Sequence, residues 1–254
     1  MHNLRFFDAN CAVGAPMNSG LHFAKDVADL LAEMDRMGVE RALVRYHNMQ
    51  NGAVYANDKI ATLLDDDVDG RLMGVWHILP EQCEELPPVD EFFGMMKAKR
   101  IAAIRHFAGP DRWVPCRLTI GRTIDVAREL RIPLMTTPLA YANGWAGLYS
   151  FVQEFPENIY IISGDGLWGV DRNIRPLLEN FPGVHFEVSS FWPPEGVRDL
   201  ARKYGADRIL YGSGFPQYNQ GNMMSVVRHL ELDEAEKRLI AAGNLERIIS
   251  EEQI

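Results

Sequence analysis

Long apolar runs, clustered basic residues and a cysteine framework are all missing from this chain of 254 residues. No apolar stretch is long enough to span a bilayer, and residues 1–10 lack the apolar core of a signal peptide. The three cysteines are odd in number and far apart, which argues against a disulfide framework or a cysteine zinc cluster. The sequence therefore predicts a protein of the reducing cytoplasm with no membrane partner.

Positive charge is scarce as well, since the formal net charge is -9. A nucleic acid would be repelled by such a surface, and no basic stripe offsets the repulsion. Hydrophobic residues make up 47% of the chain and charged residues 24%, the ordinary balance of a globular protein. No linker or low-complexity segment interrupts it. We expect one domain, residues 1–254, with a small molecule as its partner and no nucleic acid.

Short apolar strands alternate with amphipathic helical stretches along the whole chain. The first helical stretch, 23–37, is typical: apolar residues recur at helical spacing and Gly38 follows its end. Eight such strand-then-helix units predict a parallel sheet closed into a (β/α)8 TIM barrel. The predicted strands are 4–8, 41–46, 72–78, 101–106, 132–137, 159–163, 184–188 and 208–211. In such barrels the active site lies at the carboxyl ends of the strands.

Three segments carry a family resemblance: 7–14 in the first strand, 208–216 in the eighth, and 240–249 at the end of the chain. They resemble the amidohydrolase-related family of metal-dependent hydrolase TIM barrels. Its members begin with an Asp-x-His-x-His strand and end with a Gly-Ser-Asp-Phe-Pro-like strand and a Gly-Asn-x-x-Arg helix. Segments 74–80 and 104–106 fit the family too. The resemblance implies the same barrel fold, and a homodimer as one assembly to test.

The metal-ligand positions depart from the family. Its members bind zinc or another divalent ion through histidines of strands one, five and six and an aspartate of strand eight. Those positions here hold Asn10, Ala12, Thr137, Gly164 and Gly214. Alanine and glycine have no side-chain donor, and neutral oxygen donors replace imidazole poorly. We therefore expect a degenerate metal site, with no metal and no cofactor, where water or a ligand group fills the space left by the small residues.

Three histidines, His47, His77 and His106, stand at the ends of consecutive predicted strands. If their rings converge, they could bind a relocated metal ion or act as acid–base groups near neutral pH. Alternatively, strand pleating scatters them, because successive residues point to opposite faces of a strand. The sequence leaves both arrangements open.

Arginines and tryptophans are also found at the predicted strand ends. Arg45 and Arg105 could each clamp a carboxylate, or could form structural salt bridges with Asp8 or Glu187. All five tryptophans lie at or shortly after a predicted strand. This position favours a partly aromatic barrel mouth, the opening at the carboxyl ends of the strands, over packing of each indole within its own loop. The tryptophans are Trp76, Trp113, Trp145, Trp168 and Trp192.

These observations predict a hydrolase- or lyase-type enzyme that acts on a small carboxylated or aromatic molecule without the ancestral metal. Acid–base roles are expected for Asp8, His47, His77, His106 and Asp165, and substrate binding for Asn10, Arg45, Arg105, Thr137, Trp168 and Ser213. One alternative is a non-catalytic barrel that only binds a small molecule, and another is a metal site formed by the three histidines. A polar mouth favours the enzyme, whereas a mouth filled by tryptophan side chains favours the non-catalytic barrel.

Overall fold

Eight parallel strands form the centre of the protein. The computed structural model describes residues 4–16, 22–47, 52–164, 169–191, 193 and 195–253. Each strand pairs with the next in chain order, and the backbone N–H of Ala9 donates to the carbonyl of Tyr211 beyond the last strand at 3.0 Å. The predicted (β/α)8 barrel is confirmed. The strands are β1 Phe7–Val13, β2 Arg41–Tyr46, β3 Leu72–His77, β4 Ile101–Arg105, β5 Leu134–Thr136, β6 Tyr160–Ser163, β7 Val184–Glu187 and β8 Ile209–Leu210.

Helices surround the strands, and none in the described part of the chain is long and apolar enough to cross a membrane. Near the end of the chain a π-helical turn, Leu239–Gly243, separates two short helices. The helices are α1 Val27–Met37, α2 Gly52–Leu63, α3 Val89–Ala98, α4 Arg117–Glu129, α5 Trp145–Glu154, α6 Val170–Asn180, α7 Gly196–Tyr204, α8 Gly221–His229, α9 Glu234–Arg238 and α10 Asn244–Ser250.

Helix α1 shows how local chemistry sets the helix boundaries. Asp26 precedes it in extended conformation and accepts a hydrogen bond from the N–H of Asp29 at 2.9 Å, so the helix starts at Val27 rather than at residue 23. At the other end Gly38 has φ +81° and donates its N–H to the carbonyl of Met34. That left-handed conformation suits glycine and ends the helix where the sequence predicts.

Two apolar clusters lie on the two faces of the barrel wall. The inner cluster takes one or two residues from every strand except β7, and the outer cluster packs the wall against the helices. Because side chains alternate between faces along a strand, the inner cluster identifies which residues at the strand ends face the barrel interior. Its strand members include Leu43, Val75, Ala103, Met135, Ile161 and Leu210.

Strand β1 departs from simple alternation. Its register against β2 shifts between Asp8, which pairs with Ala42, and Cys11, which pairs with Val44. Ala42, Val44 and Cys11 all belong to the outer cluster, so Asp8 faces the outer side of the wall. The shift inserts an extra residue, which turns the side chain of Asn10 into the barrel.

Candidate active site

A set of polar side chains faces the interior at the carboxyl ends of the strands. Arg45 lies two residues beyond the inner-cluster residue Leu43, and Arg105 two residues beyond Ala103. Strand register places His77 beside Arg105 and Ser163 beside Glu187. His47 lies two residues beyond Arg45, and Ser189 hydrogen-bonds to Glu187. The resulting mouth is formed by Asn10, Arg45, His47, His77, Arg105, Ser163, Glu187 and Ser189.

Glu187 is the fully buried carboxylate of the mouth. Its Oε2 accepts hydrogen bonds from Asn10 Nδ2 at 2.8 Å, Ser163 Oγ at 2.7 Å and Ser189 Oγ at 2.9 Å. Its Oε1 accepts the backbone N–H of Ser189. Burial raises the pKa of Glu187, while the hydrogen bonds from Ser163, Ser189 and Asn10 partly oppose that rise. The carboxylate therefore joins β1, β6 and β7 into one polar wall.

The two arginines differ in their electrostatic surroundings. Burial lowers the pKa of Arg45, but negative charge on Cys11, Glu187 and Asp8 acts to raise it. Burial also lowers the pKa of Arg105, to about 9, with a further decrease from Arg45 and an opposing contribution from Asp111 alone. Neither arginine forms a salt bridge with a described residue, and the Arg105 Nε has no hydrogen-bond partner among them. Arg105 is therefore the less compensated cation of the mouth.

Two histidines of the mouth are neutral: His77, which ends β3, and His47, which follows β2. Burial lowers the pKa of His77 well below its usual range, and Arg105 and Arg45 lower it further. Burial together with Arg45 and Arg105 lowers the pKa of His47 to about 4. Both ring nitrogens of His77 and Nδ1 of His47 have no hydrogen-bond partner among the described residues. Each ring can therefore accept or donate one hydrogen bond to a ligand at neutral pH.

His106 does not join this group. It follows Arg105, so its ring faces outward, where Nε2 lies 3.1 Å from the hydroxyl of Tyr141 and the ring packs against Phe151 of α5. Burial and then Arg105 lower the pKa of His106 to about 3. Because His77 faces inward and His106 faces outward, the alternative of a metal site formed by the three histidines is wrong. No group of three or more His, Cys, Asp or Glu in the described part of the chain is arranged to hold a metal ion.

Asp8 and Ser213 meet outside the barrel wall, beneath the mouth. Asp8 Oδ1 accepts the backbone N–H groups of Ser213 at 2.8 Å and Asn10 at 3.0 Å, and Oδ2 accepts Gln220 Nε2 at 3.4 Å. The Ser213 hydroxyl donates to the carbonyl of Asn10 and accepts the N–H of Phe215. Burial raises the pKa of Asp8 to about 7, against hydrogen bonds from Ser213 and Asn10 that lower it. This network holds the β1 bulge and with it the position of Asn10.

The aromatic mouth is wrong for the three described tryptophans. Trp76 faces outward, packs against Phe92 of α3 and donates its Nε1–H to the carbonyl of Asn57. Trp113 and Trp145 also pack against the outer cluster. Strand parity explains Trp76, since it precedes an inward residue, and the other two indoles cover the helical layer.

The remaining predicted residues divide into two groups. Thr137 follows β5 two residues beyond the inner-cluster residue Met135, and it is only partly buried. It remains a predicted binding residue. Asp165, Trp168 and Trp192 lie outside the described residues.

The residues present do not suit the family's metal ion. Asn10 aims its amide nitrogen at the three oxygen atoms of Ser163, Glu187 and Ser189, so it acts as a donor rather than a ligand. The expected open space is also absent at two positions. A Cβ on Gly164 would lie 2.7 Å from Ser190 Oγ, and one on Gly214 would lie 2.8 Å from the ring of Tyr218. Neighbouring side chains have occupied those positions, and the donor set does not match a divalent transition metal.

Replacing Gly214 by alanine tests this closed packing. Gly214 has φ +67°, and we expect the variant to be destabilised by about 2–4 kcal/mol through left-handed backbone strain and the clash with Tyr218. The control is Gly38→Ala, where φ is +81° in the left-handed region and the nearest atom, Met224 Cε, lies 4.0 Å from the new Cβ. That variant bears the backbone strain alone, so urea unfolding should show a smaller loss. Equal losses in the two variants would contradict the crowded site.

Comparison with solved structures supports the barrel. An uncharacterized TIM-barrel protein from Bordetella bronchiseptica is 16% identical, with a TM-score of 0.69 and coverage of 98% of this chain and 99% of that one. The 5-carboxyvanillate decarboxylase of Sphingomonas paucimobilis is 15% identical, with a TM-score of 0.67 and coverage of 97% and 99%. A dihydroxybenzoic acid decarboxylase from a Polaromonas species, solved with bound manganese and 2-nitroresorcinol, is 13% identical, with a TM-score of 0.69 and coverage of 97% of each chain.

Other matching structures include a putative amidohydrolase from Staphylococcus aureus. The predicted resemblance to amidohydrolase-type barrels is thereby confirmed at the level of the fold. No protein-family model matches the sequence, and no curated protein matches it either.

Several residues of the mouth are not among those predicted from the sequence. Glu187 is predicted from the sequence only as a salt-bridge partner. It nevertheless ends β7, and residues at the carboxyl ends of the strands are the expected site residues of such a barrel. Ser163 ends β6 in the same way. Ser189 and Asn57 carry no sequence signal of their own, because their roles depend on contacts between distant segments.

Proposed function

We propose that the barrel mouth binds a small aromatic carboxylate and catalyses a lyase-type reaction on it without the family's divalent metal. The observation that carries this proposal is Arg105, an inward-facing arginine with no salt bridge to a described residue. Arg105 is partly exposed at the mouth, and a carboxylate matches the planar pair of donors of its guanidinium. A ligand carboxylate supplies an anionic partner.

The choice of a lyase over a hydrolase rests on the named neighbours. The similar decarboxylases act on carboxyvanillate and dihydroxybenzoate, as their names state. In a decarboxylation the carbon–carbon bond to the carboxylate breaks, its electron pair stays on the ring carbon, a proton replaces the lost group, and CO2 leaves.

The composition of the mouth also supports an enzyme over a non-catalytic barrel. The described strand ends present charged and hydrogen-bonding side chains, whereas the described tryptophans pack in the outer layer. Neutral histidines and a buried carboxylate with shifted pKa values are typical of acid–base sites. A cytoplasmic setting and a homodimer remain predictions.

A second candidate function is binding of the same class of ligand without catalysis. Glu187 has all its hydrogen-bonding capacity directed to neighbouring side chains and backbone, and Asp8 lies behind the barrel wall. Neither carboxylate is free to exchange a proton with a ligand. Binding without release of CO2 would select this alternative.

The experiment measures binding and CO2 release with benzoate and 5-carboxyvanillate, using protein dialysed against a chelator. We expect Arg105→Gln to weaken carboxylate binding by about 10- to 100-fold, because a hydrogen bond to a charged group contributes about 1.5–3 kcal/mol. Arg122→Gln is the control, since Arg122 is 61% exposed and pairs with exposed Asp90. Unchanged affinity in Arg105→Gln, or no carboxylate binding to the wild type, would refute the proposal.

A further inference from the structure

The imidazole of His77 is buried without a hydrogen-bond partner among the described residues. The side chain is 1% exposed, and neither Nδ1 nor Nε2 has a hydrogen-bond partner among the described residues. Buried polar groups in folded proteins are nearly always hydrogen-bonded. The inward-facing ring therefore offers two unpaired nitrogens to a water molecule or a ligand in the mouth.

Helix α2 fixes the backbone from which this ring projects. Asn57 Oδ1 accepts the N–H of His77 at 2.6 Å, and Asn57 Nδ2 donates to the carbonyl of His77 at 2.9 Å. Asn57 is itself buried, and its own carbonyl accepts the indole N–H of Trp76. These two hydrogen bonds to the main chain hold the end of β3 in place and leave the imidazole unpaired.

His77 and Arg105 are partners across β3 and β4. Adjacent strands lie about 4.8 Å apart, so one carboxylate group can bridge two side chains that project from partner positions. Arg105 supplies the permanent charge, and the imidazole supplies a hydrogen bond to the second oxygen if it carries a proton on the facing nitrogen.

Resting on the proposed carboxylate binding, we propose that His77 takes up a proton as the carboxylate binds to Arg105, and that this proton is the one consumed in the lyase reaction. In the empty mouth, burial and the positive charges of Arg105 and Arg45 keep the ring neutral. An arriving anion offsets those charges and favours the protonated ring. The imidazolium N–H bond then breaks as a C–H bond forms at the ring carbon, the bond to the carboxylate breaks, CO2 leaves, and a neutral imidazole remains.

The other groups around His77 do not replace it. From β4, His106 faces the outer layer and is bonded to Tyr141. From β2, Arg45 is permanently charged, and His47 is the one other described histidine of the mouth with an unpaired nitrogen. From α2, Asn57 is neutral. His47 is therefore the competing proton site that the experiment must separate from His77.

Isothermal titration of the protein with benzoate, in two buffers of different ionisation enthalpy, measures the proton taken up. We expect uptake that rises towards about one proton per benzoate as the pH falls, with affinity decreasing by up to about tenfold for each pH unit of increase. His77→Gln should bind benzoate more weakly, with no uptake and no dependence of affinity on pH. His185→Gln is the control, because His185 is also buried but lies against Arg208 and Arg247 and bonds the carbonyl of Gly183.

Each result separates this inference from the proposed function. Benzoate binding to the wild type without proton uptake, or uptake that persists in His77→Gln and disappears in His47→Gln, overturns the inference and leaves carboxylate binding intact. No benzoate binding at all overturns both. If His77→Gln does not fold, the histidine ring signals in the NMR spectrum of His47→Gln decide: a buried ring that becomes protonated on adding benzoate supports the inference, and its absence overturns it.

Discussion

Replacing Glu187 by alanine is expected to lower the free energy of unfolding by about 3–5 kcal/mol, the range for breaking a buried charged network by removing one member. Four donors from Asn10, Ser163 and Ser189 lose their acceptor, and Arg45 loses one of the negative charges that offset its burial. Urea denaturation followed by circular dichroism measures the loss.

Two variants make this test specific. Glu187→Gln keeps the side-chain volume and one acceptor oxygen, so we expect a smaller loss of about 1–3 kcal/mol. Glu33→Ala removes a glutamate that is 6% exposed but pairs with Arg36, which is 58% exposed and can be hydrated instead. That change should cost about 1 kcal/mol. A loss in Glu187→Ala no greater than in Glu33→Ala would show that the network does not stabilise the mouth.

Replacing Asp8 by asparagine is expected to stabilise the protein at alkaline pH by about 2–4 kcal/mol, since each pKa unit corresponds to about 1.4 kcal/mol. Burial raises the pKa of Asp8 from 3.8 to about 7, so the folded protein bears the cost of a buried charge above neutrality. Asparagine retains an acceptor for the N–H groups of Ser213 and Asn10. Its amide can donate to Gln220 Oε1, which has no partner among the described residues, once the Gln220 amide turns over.

The pH dependence of this effect has a definite sign. The stability associated with protonated Asp8 is fully present below about pH 4 and is lost as the pH rises through about 7. His47 has the opposite dependence: burial, followed by Arg45, lowers its pKa to about 4, so its contribution is present above pH 6.5 and lost as the pH falls through about 4. Unfolding free energies measured from about pH 5 to about pH 8.5 should therefore diverge between wild type and Asp8→Asn as the pH increases.

Asp67→Asn is the matched control for Asp8→Asn. Asp67 is also a buried aspartate, but its Oδ2 accepts the N–H of Leu72 at 2.8 Å and pairs with Arg100 at 3.0 Å. Removing its charge should destabilise the protein by about 1–3 kcal/mol across the pH range. Stabilisation of Asp67→Asn, or a destabilised Asp8→Asn at alkaline pH, would contradict the assignment of a costly buried charge to Asp8.

Much of the fold follows from local patterns. Strand β2 has the predicted limits, and α1 ends at Met37 as predicted. Strand β8 is shorter than predicted, with only Ile209 and Leu210, because residues beyond Leu210 bond to other segments: the N–H of Tyr211 donates to the carbonyl of Ile240. Such a bond to a distant segment has no signal in the local sequence.

The candidate site was predictable as a location but not as a set of orientations. Arg105 and His106 are adjacent and both stand at a strand end, yet one faces the mouth and the other packs on α5. Distinguishing them requires the register of β4 against β3, which places Arg105 beside His77. In β1 the bulge interrupts the regular alternation of side chains. Asp8 and Asn10 therefore face opposite sides of the wall, although residues two positions apart in a regular strand face the same side.

The sequence by itself determined the barrel, and it predicted the strand ends as the place of the site and the absence of metal-binding side chains at the ligand positions of the family that it resembles. Periodicity, helix caps and residue identity are local properties, and they suffice for these conclusions. Only the tertiary structure decided that Glu187 accepts hydrogen bonds from Asn10, Ser163 and Ser189, that neighbours occupy the space at Gly164 and Gly214, and that Arg105 forms no salt bridge with a described residue. The reason is physical: charge compensation and packing depend on distances between segments far apart in the chain, and strand register and pleat set those distances.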